Sequence, residues 1–151
     1  MRNIRAKSFI RLTALFVIIS LVIPVGAIEN SPRASYYLNS YNTYIYNAAW
    51  GKIQVYFDVT GVEYMDDIGT LSIILYESTD NENWTHVKTY RHDNTAGMLA
   101  QDKIYHSGHV DYSGTIGRYY KAYVCIWAGS DGDGDTRYLW TNIQKATLFA
   151  G

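Results

Sequence analysis

Residues Lys52 to Thr60 alternate without a break: Ile53, Val55, Phe57 and Val59 are apolar, while Gln54, Tyr56, Asp58 and Thr60 between them are polar or amphipathic. A period of two sends the two sets to opposite faces of an extended chain, which is the pattern of a half-buried strand and not of a helix. No later or earlier segment of the region beyond residue 34 carries helical apolar spacing over several turns. The fold class is therefore all-β.

Further strands follow from the same reading. Tyr36 to Asn47, rich in tyrosine, precedes the alternating run, and Gly69 to Ser78 follows it with Leu71, Ile73 and Leu75 on one face. The polar turn Ser78-Thr79-Asp80-Asn81-Glu82-Asn83 leads into Trp84 to Tyr90, so these two segments read as a hairpin. Arg91 to Asp102 reads as a connection between sheets, Lys103 to Tyr112 as a fifth strand, and Thr136 to Lys145 as the seventh. The sixth, Tyr119 to Trp127, is apolar or aromatic on both faces, as suits a central strand. About seven short strands with turn signals between them predict a single antiparallel two-sheet sandwich of the immunoglobulin or fibronectin type III kind. A small closed barrel is the rival. There is no internal repeat, and the two prolines, Pro24 and Pro32, leave no proline-rich linker, so residues 35–151 are expected to form one domain.

The N-terminal segment has a different character. Arg2, Arg5, Lys7 and Arg11 precede a run from Leu12 to Ala27 that contains no charge. That is the layout of a cleavable export signal. The run lasts about 16 residues, is broken by Pro24 and Gly26, and falls short of the roughly 20 a spanning helix needs. Val25-Gly26-Ala27 supplies small residues for a peptidase, so residues 1–27 are expected to be the signal and 28–34 a polar lead; an uncleaved anchor is the alternative. No cysteine follows the apolar run to carry a lipid. All 14 acidic residues lie beyond Ala27 while four of the 13 basic residues precede it, so the remainder carries a formal charge of −5. That charge argues against a nucleic-acid partner, and membrane contact is expected only through the signal during export. Cys125 is the sole cysteine, which forbids an internal disulfide, and in Tyr123-Val124-Cys125-Ile126-Trp127 it reads as a small buried hydrophobe.

Gly51-Lys52-Ile53-Gln54-Val55-Tyr56-Phe57-Asp58-Val59-Thr60-Gly61, Tyr76-Glu77-Ser78-Thr79-Asp80 with Trp84, and Gly117-Arg118-Tyr119-Tyr120-Lys121-Ala122-Tyr123 together carry a resemblance. The chain resembles a family of short secreted proteins of unknown function from Gram-positive, clostridia-like bacteria. Met65-Asp66-Asp67-Ile68-Gly69, Tyr105-His106-Ser107 and Asp135-Thr136-Arg137-Tyr138 are also similar to that pattern. The resemblance implies export and a Gram-positive source, and it assigns no site residue. A broader likeness to bacterial fibronectin-like modules concerns the fold alone.

Two features invite chemistry. Asp131, Asp133 and Asp135 alternate with Gly132 and Gly134, as acids do in the first half of a calcium loop. The match then fails: Thr136 stands where an EF-hand needs glycine, and Asn142 where it needs its closing glutamate. The competing reading is a solvated hairpin turn, with no cofactor. All fifteen tyrosines and four tryptophans lie beyond residue 27. Exposed aromatic rings bind sugars, and Trp50, Tyr56, Tyr64 and Trp140 are the candidates; the competing reading is structural use at the rim of a thin core, with Tyr112 or Tyr119 as a corner tyrosine.

His86, His92, His106 and His109, with Glu63, Asp66 and Asp67, form no recognisable catalytic array, and no nucleophile elbow, phosphate loop or His-Glu-x-x-His segment occurs. The chain is expected not to be an enzyme. The expected function is a non-catalytic extracellular recognition module for a glycan, cell-wall or protein ligand, acting through loops Thr60 to Gly69, Arg91 to Asp102 and Ala128 to Asp135. The alternative is a structural or effector protein acting by self-association or on a host surface, with a hydrolase a distant third.

Overall fold

A computed structural model describes residues 35–151; the expected export signal and polar lead lie outside the described residues. Among the described residues no helix is long and apolar enough to cross a membrane.

The alternating run becomes the first part of a strand much longer than its pattern suggests. Strand β2 covers Lys52–Ser78, after β1, Leu38–Asn47. Ile53, Val55, Phe57 and Val59 are at most 2% exposed, as the period of two requires. Each such side chain contributes about 1.5–3 kcal/mol by leaving water.

The remaining strands are β3, Thr85–Arg91; β4, Leu99–Ser113; β5, Tyr119–Ser130; β6, Asp133–Trp140; and β7, Gln144–Lys145. All pairings are antiparallel. The N-terminal half of β2 is flanked by β1 and β4, and its C-terminal half by β5 and β3, with β6 beyond β5. The seven strands therefore form one sheet, curled as a half-barrel, where the sequence predicts two separate sheets. The all-β, antiparallel, seven-strand expectation holds.

The difference arises at the stretch Thr60 to Gly69, expected to be a loop. Thr60 pairs with Tyr105 and Met65 with Lys103, so along the β4 ladder four residues, 61–64, stand against Ile104 alone. A surplus of residues on one strand bends it without ending it. A second irregularity lies between Thr70 and Ser72, where Leu71 is the extra residue. It is consequently half-buried, whereas Ile73 and Leu75 are fully buried. Both halves of β2 turn their inner faces to one core shared with Tyr120, Ala122, Val124, Ile126 and Ala128 of β5.

The expected connection Arg91 to Asp102 shrinks to residues 92–98 and does not cross between sheets. Arg91 pairs with Ser72 and Leu99 with Gly69, so β3 and β4 lie end to end along one flank of β2. His92 donates its N–H to Leu71 and Thr70 donates to Met98, pinning the loop to the bulge. The expected seventh strand is divided into β6 and β7. Between them Asn142 offers its amide to both the N–H and the C=O of Ile45, covering part of the open edge of β1.

The β1–β2 turn holds Ala49 and Trp50 at φ of 76° and 53°, with Gly51 at 74°. Side chains with a Cβ pay about 1–2 kcal/mol in this region. The carbonyls of Leu148 and Thr147 hold the turn by accepting from the Trp50 and Gly51 N–H groups. Ala49→Gly is expected to raise stability by about 1 kcal/mol. Urea denaturation checks this, and a lower midpoint would contradict it.

Candidate functional site

The register of the C-terminal half of the sheet gathers aromatic side chains on its outer face. On β5 the core takes Ala122 and Val124, so the intervening Lys121 and Tyr123 face outward. On β2, burial of Ile73 and Leu75 leaves Ile74 and Tyr76 on that face. Trp140 pairs with Tyr123, and Tyr76 pairs with Lys121 on one side and His86 on the other.

The rings then touch in sequence. Tyr138 stacks on Tyr123 with centroids 5.6 Å apart, and Tyr123 meets Trp140 at 4.8 Å. Trp140 meets Tyr76 at 5.5 Å, and Tyr76 meets the His86 ring at 6.0 Å. The Lys121 ammonium lies 4.7 Å from the Trp140 centroid and 4.2 Å from that of Trp84. It thus ties Trp84, just before β3, to the row by a cation–π contact. Tyr138 and Trp140 remain 61% and 51% exposed. The result is an aromatic band across four strands, apolar on its ring faces and edged by hydroxyls and an ammonium. Such a surface stacks against the C–H face of a hydroxylated ring while its polar tips bond the hydroxyls. Cross-strand contact holds the rings in place before any ligand arrives, which lowers the ordering cost of binding.

The outer face around the N-terminal half of β2 is a different surface. Tyr44, Tyr56 and His109 stand directly opposite one another on β1, β2 and β4. Tyr44 and Tyr56 stack at 4.9 Å and 6°, and Tyr56 meets His109 at 5.0 Å. One row along, Asp111 receives hydrogen bonds from Gln54 and Lys52. On the other side of the ring row is a cavity of about 350 Å³ lined by Tyr44, Tyr56, Asp58, Tyr105, Ser107 and His109.

The four predicted rings are therefore dispersed. Trp140 belongs to the band and Tyr56 to the second row. Trp50, 81% exposed, sits in the β1–β2 turn, and Tyr64, 72% exposed, in the bend of β2; neither makes a ring contact with another aromatic side chain among the described residues. Sequence reasoning missed Tyr76, Trp84, Lys121, Tyr123 and Tyr138. Strand parity was the available signal for Tyr76, which alternates with Leu75.

Asp131 and Gly132, with φ of 55° and 80°, form the two-residue turn joining Ser130 to Asp133. This is the hairpin geometry that favours Asp-Gly. Asp133 and Asp135 lie in β6 and not in a loop. The Asp135 carboxylate accepts from the Ser35 hydroxyl and, at 2.9 Å, from the Tyr37 N–H. Among the described residues no group of three His, Cys, Asp or Glu side chains is placed to hold a metal ion.

Burial alone would raise the pKa of Asp135, but the bonds from Ser35 and the Tyr37 and Tyr36 N–H groups, with Arg137 nearby, hold it below its usual 3.8. A depressed carboxylate contributes stability above its unfolded pKa and loses it as pH falls through the folded value. The stability gap between wild type and Asp135→Asn is therefore expected to close progressively below about pH 3.8. Urea melts across the acid limb check this, and a gap constant with pH would contradict it.

The corner tyrosine is Tyr120, in place of the expected Tyr112 or Tyr119. It is fully buried, its hydroxyl accepts from the Thr115 N–H at 2.7 Å, and it donates to Glu77 at 3.0 Å. His106 and His109 face opposite ways, as expected: His106 packs on the inward-facing Phe57 and bonds the Gly97 carbonyl, while His109 joins the outer ring row. Cys125 is buried and free, and burial pushes its thiol pKa up.

No family model matches this chain. No curated protein sequence matches it either. Among solved structures the chain is similar to Spo0M, the sporulation control protein of Bacillus subtilis, at 12% identity and a TM-score of 0.38. The match covers 68% of this chain and 47% of that one, so it spans about half the length of that protein.

Proposed function

We propose that the chain is an exported, non-catalytic recognition module of a Gram-positive bacterium, related to the short secreted family it resembles, and that it binds a glycan on the outer face of its sheet. The observation that carries this reading is the continuous row Tyr138, Tyr123, Trp140, Tyr76 and His86, with Lys121 held between Trp84 and Trp140. A protein that used these rings only to fill its core would have them buried. On this reading the two halves of β2 act as the layers of an immunoglobulin-like sandwich, and the ligand meets strand faces, since the expected recognition loops have contracted into bends and turns.

A glycan array with the purified protein tests the proposal, followed by affinity measurement on the best ligand. Trp140→Ala is expected to weaken binding about 30-fold, the loss typical of a central aromatic anchor. No binding across a broad array, or unchanged affinity in the variant, would sink the sugar reading.

Self-association through a sheet edge is the second reading. β4 pairs with β2 and with no other strand among the described residues, and most of its length is exposed. Its edge is partly occupied, because the Tyr90 hydroxyl donates to the Asp111 carbonyl at 2.6 Å. A concentration-dependent mass in sedimentation would favour this reading.

A further inference from the structure

The cavity beside the ring row has a chemistry separate from the aromatic band. Register places Asn42, Asp58 and Ser107 side by side on β1, β2 and β4, and the next row is Ser40, Thr60 and Tyr105. On the opposite side stand the Tyr44, Tyr56 and His109 rings. Alternate residues of a strand lie about 7 Å apart on one face. The row holding Asp58 is therefore the floor of a slot between Tyr105 and the stacked rings.

The floor is polar and unpaired. Among the described residues the Asp58 carboxylate takes part in no ion pair. Nor do the side chains of Asn42, Asp58 or Ser107 share a hydrogen bond with one another or with the rest of the described chain. Two positions along the same face, Asp111 shows the contrasting treatment: Lys52 lies 3.0 Å away, Gln54 bonds at 2.8 Å and His109 approaches to 3.7 Å. One carboxylate of this face is neutralised within the chain, and the other faces an open cavity without a cation.

The walls limit what can enter. Tyr56 stacks on Tyr44 and also meets the His109 ring, and its hydroxyl turns away to bond Gln54 at 3.0 Å. Tyr105 is 52% exposed and pairs with no other ring among the described residues, so its face is open to a ligand. A volume of about 350 Å³ is at the small end of ligand sites, the scale of a single ring.

We propose that this cavity binds a protonated amino sugar, its ammonium on Asp58 and its ring against Tyr105. An ammonium brings three donors, for which the cavity lining supplies the carboxylate oxygens of Asp58 and the hydroxyl of Ser107. A charge-assisted bond to the carboxylate is stronger than one from a neutral hydroxyl, so charge is the basis of selection.

Titration of the full protein with glucosamine, N-acetylglucosamine and glucose, followed by NMR and calorimetry, tests this. Glucosamine is expected to bind at least about tenfold more tightly than the two uncharged sugars, with shifts centred on residues 58, 105 and 107. Asp58→Asn, which keeps the shape of the side chain, is expected to remove that preference, and Tyr105→Ala to weaken all three sugars. Shifts at residues 58, 105 and 107 without shifts at residues 76, 123 and 140 report this cavity alone, so failure of the aromatic-band reading and failure of this one are distinguishable. Equal affinity for glucosamine and glucose, no saturable binding, or full selectivity in a folded Asp58→Asn protein would overturn the proposal.

Discussion

Gly69→Ala is expected to cost roughly 3 kcal/mol of stability. Two independent penalties combine at this position. Gly69 has a φ of 144°, where a side chain is strained, and a Cβ built there would lie 2.2 Å from the Met98 carbonyl oxygen. That oxygen cannot retreat without a loss, because it accepts the Thr70 N–H at 2.8 Å. Gly69 also pairs with Leu99 of β4 and Trp127 of β5, so displacement there disturbs both flanks of β2. Urea denaturation at neutral pH measures the effect. A loss under 1 kcal/mol would mean that the 92–98 connection adapts, and would remove the argument that it is pinned to the bulge.

The second large effect is expected at Tyr120. Tyr120→Ala removes a fully buried ring that packs against Tyr112 at 5.8 Å, and the expected cost is about 3–5 kcal/mol. Tyr120→Phe isolates the hydroxyl. It leaves the Thr115 N–H and one Glu77 oxygen without their partner, for an expected cost of about 1–3 kcal/mol. Arg118 also bonds Glu77, so that carboxylate is not left without a cation. Burial holds the phenol pKa above its ordinary value, the Thr115 N–H opposes that, and Glu77 adds to it. The hydroxyl is consequently protonated and able to donate at neutral pH. Chemical denaturation of both variants checks the pair, and a phenylalanine variant as stable as wild type would show that the corner is held by the ring alone.

Legibility followed the range of the interaction involved. The period of two in Lys52 to Thr60 was visible because burial of one face acts on each residue locally. The hairpin from Gly69 to Tyr90 was visible for a similar reason: its turn residues Ser78 and Asp80 bond backbone groups within three positions. The continuity of β2 was not visible. Whether residues 61–64 loop out or bend depends on Tyr105 and Lys103, some forty positions away, holding their partners on either side. The aromatic band was hidden for a further reason. Tyr119 to Trp127 is apolar or aromatic on both faces, so parity could not say which face was core until Val124 and Ile126 were seen to be buried and Tyr123 to lie against Trp140.

Trp50, Tyr56, Tyr64 and Trp140 show the same division within the candidate sites. Each is an aromatic residue with the composition of a contact surface, and three of them are over half exposed. Exposure alone does not make a site, because a ligand needs adjacent groups. Trp140 acquires neighbours from β2 and β5, and Tyr56 from β1 and β4, whereas Trp50 and Tyr64 acquire no ring.

By itself the sequence determined the all-β class, the approximate strands and the polar turn that follows Ser78. Each of these rests on alternation or on local φ preference, which a few consecutive residues express. Tertiary structure alone decided that the strands share one curled sheet, that Asp135 is occupied by Ser35 and Tyr37, and which aromatic residues stand together. These depend on register between strands distant in sequence, where a shift of one residue would exchange the buried and exposed faces.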